Sequence, residues 1–401
     1  MISAAANPYI PRLSHNADLK SNNTALVLYA LFTHPHLSRG EITRLTMLAP
    51  STVSNITTDL IEQGIVRRAG NIGYSGAGRR SDILSRNPSA RCVAAVHVTP
   101  ERCHIGIVDL GYAVLKMQEL IFDGGFNEKE MQAVLDALGG LIEETRVGAK
   151  LSAIALALPN HPRSIASIFE HFQRRFPATP VLRINNTEAM AVHEYYLHLG
   201  KKLHTVAYVY VGTGIGSGFI INGTLYRGVN GNACDLGHMY MTEKPLVCRC
   251  GREGCMETVS SERVISEALA EHYHLERQPL REELVNFLSA RLNENDEFCA
   301  GLIREAAEYL GKGIFNLVSI TDPQLVIVAG RLNALNPLFS SLVEEAYMRR
   351  ARQISPAIVP LEFVPVRNNS GLIGAAMFAF ISRFCGMAQE TAVAVGYRYF
   401  R

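Results

Sequence analysis

Nowhere in this sequence does an apolar run reach the ~18 residues that a bilayer crossing needs, so no membrane insertion is expected. The opening residues, with Asn7, Pro8 and Pro11, lack the hydrophobic core of a secretory signal. A cytoplasmic location is expected. Net charge is scarce as well: +2 over 401 residues, which alone argues neither for nor against a nucleic-acid partner. Cysteines to spare for disulfides are few. Of eight, three fall in one short motif, and Cys92, Cys103, Cys234, Cys299 and Cys385 are scattered in apolar contexts, which favours reduced thiols. With 48% hydrophobic and 19% charged residues the chain is an ordinary folded protein, long enough for two or three domains.

What is present is a compact set of soft metal ligands. His238 is followed by Cys248-Arg249-Cys250-Gly251-Arg252-Glu253-Gly254-Cys255, so four potential ligands lie inside eighteen residues. Three thiolates and an imidazole make a closed tetrahedral set, and the two glycines let Cys250 and Cys255 reach one ion. A structural zinc site at His238, Cys248, Cys250 and Cys255 is expected, with no open position for catalysis. Asp235 and Glu257 flank the ligands. The metal would either fix these carboxylates beside a ligand or use them only to orient its own ligands.

Charge is also uneven. Residues 1–90 hold nine Arg/Lys and five Asp/Glu, so a small basic head precedes a nearly neutral body. Within that head, apolar residues at helical spacing over 22–32 predict a first helix. Ser38-Arg39-Gly40-Glu41 supplies a capping box for a second, short helix through Leu45. After the turn Met47-Leu48-Ala49-Pro50, a third helix places Val53, Ile56, Leu60 and Ile61 on one face. Ser51, Thr52, Ser54, Asn55 and Thr57 are expected to meet DNA from it. Gly64 ends this helix, and strands near 65–68 and 82–84 flank a glycine-rich loop ending in Arg79-Arg80, a hairpin wing whose arginines can lie along a DNA backbone or enter a minor groove. Residues 1–88 therefore read as a winged helix-turn-helix DNA-binding domain. The competing reading is a small helical domain for protein contacts.

From Arg91 the pattern changes. Strands are expected at 92–98, 104–109, 153–158, 206–211, 218–221 and 325–329, alternating with helices at 131–145, 262–273 and 299–320, which indicates an α/β body of two lobes. Between two of the strands, Gly212-Thr213-Gly214-Ile215-Gly216-Ser217-Gly218 brings backbone amides close to a phosphate or a sugar hydroxyl, or forms a plain tight hairpin. Downstream lie Gly223, Arg227-Gly228, Gly231 and Asp235-Leu236-Gly237-His238, then the cysteine cluster and Glu257.

Together with Gly374-Ala375-Ala376, this series resembles the ROK family of repressors, open reading frames and kinases, over about residues 16–380. The preceding winged helix points to its repressor branch, typified by the NagC, Mlc and XylR regulators. The resemblance implies an actin-like, ribonuclease-H-like two-lobed sugar-kinase fold with a sugar cleft and a structural zinc. It also implies homodimers or homotetramers on palindromic operator DNA. Lobe 1 is expected at 89–195, with 360–380 returning to it; lobe 2, with the zinc site, at 196–359; and a C-terminal tail at 381–401.

Against the family's kinases the sequence departs in its chemistry. The phosphate turn, Asp-x-Gly in the kinases, corresponds to His97-Val98-Thr99, followed by Pro100 and Glu101. The Asn-Asp pair that carries the catalytic base aligns with Asn185-Asn186, and an amide cannot accept the sugar hydroxyl proton. Glu188 stands where a metal-binding Asn is usual; a one-residue slip puts Thr187 at the base position, which serves no better. No enzyme activity is expected. The sugar contacts persist better: Asn185, Asn186, Asp235, His238 and Glu257 are the expected set, with Asp235 one methylene shorter than the usual Glu and Asn160 standing where a Gly often follows the Pro. The expected function is a sequence-specific transcriptional regulator, a repressor of carbohydrate genes controlled by a sugar or sugar phosphate. The alternatives are an active sugar kinase with a DNA-binding appendage and a regulator controlled by a sugar-transporter protein.

Overall fold

A computed structural model describes residues 16–72, 81–122, 126, 128–159, 162–201, 203–229, 231–354 and 358–386. The chain forms two units. One holds the N-terminal head, the first α/β lobe and the segment from Asn369 onward; the other runs from Lys201 to Asn368.

The head comprises α1 (Asn16–Thr33), β1 (Leu37–Ser38), α2 (Arg39–Thr46), α3 (Pro50–Glu62), β2 (Val66–Ile72) and β3 (Ser81–Arg86). Its strands form an antiparallel sheet in the order β1-β3-β2. The capping box is present: Ser38 Oγ accepts from the Glu41 amide at 3.2 Å, and Glu41 Oε2 accepts from the Ser38 amide at 2.7 Å. Two otherwise orphaned donors at the start of α2 are thereby satisfied. Met47, in the left-handed region at φ 57°, ends α2, and Pro50 opens α3, where no amide partner is needed. Val27, Leu31, Ile42, Val53, Leu60 and Leu84 fill the core between helices and sheet. α1 begins six residues before its readable period, because Leu19, Lys20 and Ser21 are exposed and carry no apolar spacing.

Lobe 1 is β4 (Cys92–Val98), β5 (Arg102–Asp109), β6 (Val114–Ile121), α4 (Glu128–Thr145), β7 (Leu151–Leu158), α5 (Pro162–Arg175), β8 (Val181–Asn185) and α6 (Asn186–Leu197). Its sheet order is β6-β5-β4-β7-β8, antiparallel through β4 and parallel from β4 to β8. The second unit repeats this plan with β9 (Val206–Val211), β10 (Ile215–Ile221), β11 (Thr224–Tyr226), α7 (Glu257–Ser260), α8 (Glu262–His272), α9 (Glu282–Asn293), α10 (Glu297–Thr321), β12 (Leu325–Gly330), α11 (Leu338–Ile354) and β13 (Leu361–Val364). Its sheet order, β11-β10-β9-β12-β13, has the same antiparallel and parallel halves. Helical crossovers supply the parallel pairs, as the geometry of parallel strands requires. This duplicated sheet is the actin-like plan expected from the sequence.

α12 (Ser370–Cys385) returns to the first unit and packs on α6, β4, β7 and α1. Three boundaries fall elsewhere than expected, one set by strand pairing and two by helix ends. Residues 361–364 form β13 beside β12, so the return begins at Asn369 rather than 360. α6 continues to Leu197, past the expected lobe boundary at 195. α12 runs to Cys385, capped by Gly386 at φ 67°, so 381–385 are helix rather than tail; residues 387–401 lie outside the described residues. Among the described residues, no helix is long and apolar enough to cross a membrane.

Candidate functional site

Close backbone packing assembles the Cys/His cluster. Leu236–His238 is a single tight turn pressed onto β10: a Cβ on Gly237 would stand 2.0 Å from the Ile215 carbonyl oxygen, so a side chain there would push His238 away. The Cys248 amide donates to Arg252 O and the Gly251 amide to Cys248 O, both at 2.8 Å, closing a turn in which Gly251 has φ 85°. Isolated bridges join Tyr240 to Cys255 and Val247 to Glu253. The ligand atoms of His238, Cys248, Cys250 and Cys255 all lie within 4.8 Å of one another.

Their spacing fits a tetrahedral ion. Metal–sulfur bonds of about 2.3 Å imply tetrahedron edges near ~3.8 Å. Cys250 Sγ and Cys255 Sγ are 3.7 Å apart, and Cys248 Sγ lies 3.5 Å from His238 Nδ1. A disulfide would need about 2.05 Å. Desolvation opposes ionisation of Cys250, but hydrogen bonds from the Arg252 side chain at 3.5 Å and the Arg252 backbone, together with those from Cys248 and Cys255, outweigh it, so the thiol falls to about 6. The cluster can therefore hold a metal ion. Because Nδ1 faces the sulfurs, Nε2 is the atom His238 has left for a hydrogen bond.

Glu257 links this cluster to the glycine turn. Buried at the start of α7, it accepts from the Cys248 thiol at 3.0 Å through Oε1, and its Oε2 would lie 2.9 Å from a Cβ on Gly214. Only a protonated thiol makes the first contact; a metal-bound thiolate gives it up and frees the carboxylate for another donor. The turn itself is shorter than the glycine run. Only Gly212-Thr213-Gly214 connects the strands, and Ile215 to Ile220 pair with β9. Asp235 is exposed just before the His238 turn.

On the first unit, the expected kinase positions have taken structural work. Asn185 caps α6: its Oδ1 accepts from the Thr187 amide at 2.8 Å, while Glu188 Oε2 accepts from the Asn185 amide at 3.1 Å. Glu188 is thus the reciprocal half of a capping box, which accounts for a buried acid where the kinases place an Asn. Asn186 Nδ2 donates to Val98 O at 2.8 Å, and its buried Oδ1 has no hydrogen-bond partner among the described residues. The turn after β4 is closed on itself, because the Thr99 amide donates to Arg102 O at 2.8 Å and Thr99 Oγ1 accepts from the Arg102 amide at 3.2 Å. His97 is buried under Gly371 and held neutral, its pKa pushed down to about 3 by desolvation and then by His104. Asn160 lies outside the described residues.

In the head, Ser51, Ser54 and Asn55 are exposed along α3, and Thr52 is half-buried. Thr57 is not available to DNA, contrary to expectation. It is fully buried, and its hydroxyl accepts from Arg39 Nε at 2.9 Å and donates to Ser54 O at 3.1 Å. Arg79 and Arg80 lie outside the described residues. Nothing in the sequence spacing marks Arg86, which is buried where the head meets lobe 1.

A three-helix winged head in front of a duplicated α/β body with a Cys/His cluster is the architecture of a DNA-binding regulator built on a sugar-kinase scaffold. The chain belongs to the ROK family, whose model matches residues 114–380. It is 29% identical over 356 residues to a xylose repressor of Caldicellulosiruptor bescii, covering 83% of this chain and 89% of that protein. A ROK family transcriptional regulator described as a homolog of the E. coli MLC protein superposes with a TM-score of 0.70 at 19% identity, covering 92% of this chain and 97% of that one. A ROK hexokinase from Thermus thermophilus superposes with a TM-score of 0.60 at 26% identity, and covers 99% of itself but only 73% of this chain.

Proposed function

We propose that this protein is a transcriptional repressor of carbohydrate genes that binds operator DNA through its winged head and is released or retained by a sugar effector. The observation carrying this reading is the polar face of α3, with Ser51, Ser54 and Asn55 exposed and Thr52 half-buried, on a capped helix-turn-helix, in a chain similar over most of its length to a xylose repressor. α3 would lie in the major groove, with Arg79 and Arg80 on the flanking backbone. Homodimers or homotetramers would match a palindromic site. The effector is a sugar or sugar phosphate, with Asn185, Asn186, Asp235, His238 and Glu257 as its proposed contacts and zinc as the structural ion at His238, Cys248, Cys250 and Cys255. DNA selected from a random pool by the full-length chain should yield one palindrome whose binding shifts with D-xylose or another member of a panel of sugars and sugar phosphates. Recovery of no preferred sequence would refute it.

The likeness to a hexokinase raises phosphoryl transfer as a second reading. Asn186 supplies no base, and the turn after β4 spends its Thr99 amide internally. We therefore propose a non-enzyme. ADP release over the same panel, with Asn186→Asp alongside, should show no turnover by the unmutated protein.

A further inference from the structure

Arg86 is the last residue of β3, and its guanidinium is buried without a carboxylate partner among the described residues. Its charge is balanced in another way. Nη1 donates to Phe32 O at 3.2 Å, near the C-terminus of α1, where a cation is favoured by the helix dipole. The plane lies 3.8 Å from the Tyr112 ring centroid and 5.5 Å from that of Tyr196, and Nη2 donates to Tyr196 Oη at 2.8 Å. Tyr112 Oη donates to the same Phe32 carbonyl at 3.1 Å. Tyr112 does this from a left-handed backbone at φ 76°, a costly conformation for an aromatic residue. Phe32 in turn packs against Phe380 and Phe384 of α12, at centroid distances of 6.5 and 5.7 Å. The head is therefore clamped to lobe 1 by one arginine, two tyrosines and a phenylalanine cluster.

The other ends of the same helices lie at the asparagine pair. α6 starts at Asn186, tied to Val98, and reaches Tyr196 about 15 Å away. α12 starts beside Gly371, whose Cβ, if present, would meet His97 at 2.6 Å. The two helices cross so tightly that a Cβ on Gly374 would sit 1.8 Å from Ala189 O, and His193 Nδ1 hydrogen-bonds Ser370 Oγ at 2.9 Å. Helices packed backbone to backbone do not slide independently.

We propose that α6 and α12 act as one rigid lever carrying a displacement at Asn186 to the DNA-binding head, with Arg86 and Tyr196 as the positioning residues that engage it. This inference rests on the effector reading above, and its test does not. Hydrogen–deuterium exchange on the full-length, ligand-free chain is compared with Asn186→Asp, and with Asn186→Ala, which breaks the same Val98 bond without adding charge. Breaking that bond should raise exchange at amides 32–34 and 84–87 by at least about threefold, and Tyr196→Phe, which keeps the ring and removes the hydrogen bond to Arg86, should abolish this distant rise while leaving the rise around 98 and 186. A merely structural clamp would leave 32–34 and 84–87 unmoved by Asn186 substitution, and that result, or a distant rise that survives Tyr196→Phe, overturns the lever. If exchange propagates as expected while no sugar alters operator affinity in the unmutated protein, the effector reading fails and the lever stands.

Discussion

Asn55 and Thr57 stand two positions apart on α3 and do opposite things. Asn55 faces solvent, whereas Thr57 falls with Val53 and Leu60 on the buried stripe and holds Arg39. Its burial is legible in the helical period, since 53, 57 and 60 share one face, whereas its polarity points the other way. Asn55→Ala should therefore cost about 1–3 kcal/mol of operator affinity by gel shift with the fold intact, and Thr57→Ala should lower the melting temperature of the head before it alters sequence preference. His97 supplies a second residue-scale outcome. Its folded pKa lies well below the ordinary 6.5, at about 3, through burial first and His104 second. The unfolded chain takes up a proton the folded one refuses, so stability is intact above about pH 6.5 and declines as pH falls toward 3. Acid denaturation of His97→Leu should be flatter across that window; an unchanged profile would show that His97 is not the group responsible.

At the level of elements, caps and crossings decide what the sequence revealed. Ser38-Arg39-Gly40-Glu41 is a local device and was readable. The Glu41 carboxyl is held below its usual range by the Ser38 amide first and the Ser38 hydroxyl second. A lowered acid stabilises above its unfolded pKa and loses that contribution as pH falls, so Ser38→Ala should destabilise the head by about 0.5–2 kcal/mol in neutral buffer and by less in acid. Denaturant melts at pH 7 and pH 3.5 would measure this. The cap at Asn185 and Glu188 is masked in the sequence, because the family resemblance aligns the same residues with kinase chemistry. β6 is masked as well, since Leu115, Lys116, Met117 and Gln118 are all exposed along an edge strand and alternate in nothing readable. The need for Gly374 cannot be seen in sequence either, because it depends on Ala189 arriving from another helix. Gly374→Ala should cost about 1–3 kcal/mol or more in thermal stability.

Over the whole molecule, motif spacing placed the Cys/His cluster correctly because its ligands are close in sequence and two glycines force the turn. The remaining architecture depends on contacts over long separations: β13 pairs with β12 beyond 360, and α6 and α12 run on past 195 and 381. Chelation, or Cys250→Ser together with Cys255→Ser, should loosen the segment from His238 to Glu257 and weaken the effector response, seen as a lower melting temperature and a smaller sugar-dependent shift of operator affinity. The central proposal is that effector and operator are linked through one molecule. Titration of D-xylose, or of the panel sugar that raises the melting temperature most, into the full-length protein by calorimetry, free and saturated with its selected operator, tests this most directly. The sugar affinity should change by roughly 5–150-fold when operator is bound, and operator affinity by the same factor when sugar is bound. Equal sugar affinity in the two titrations would contradict it.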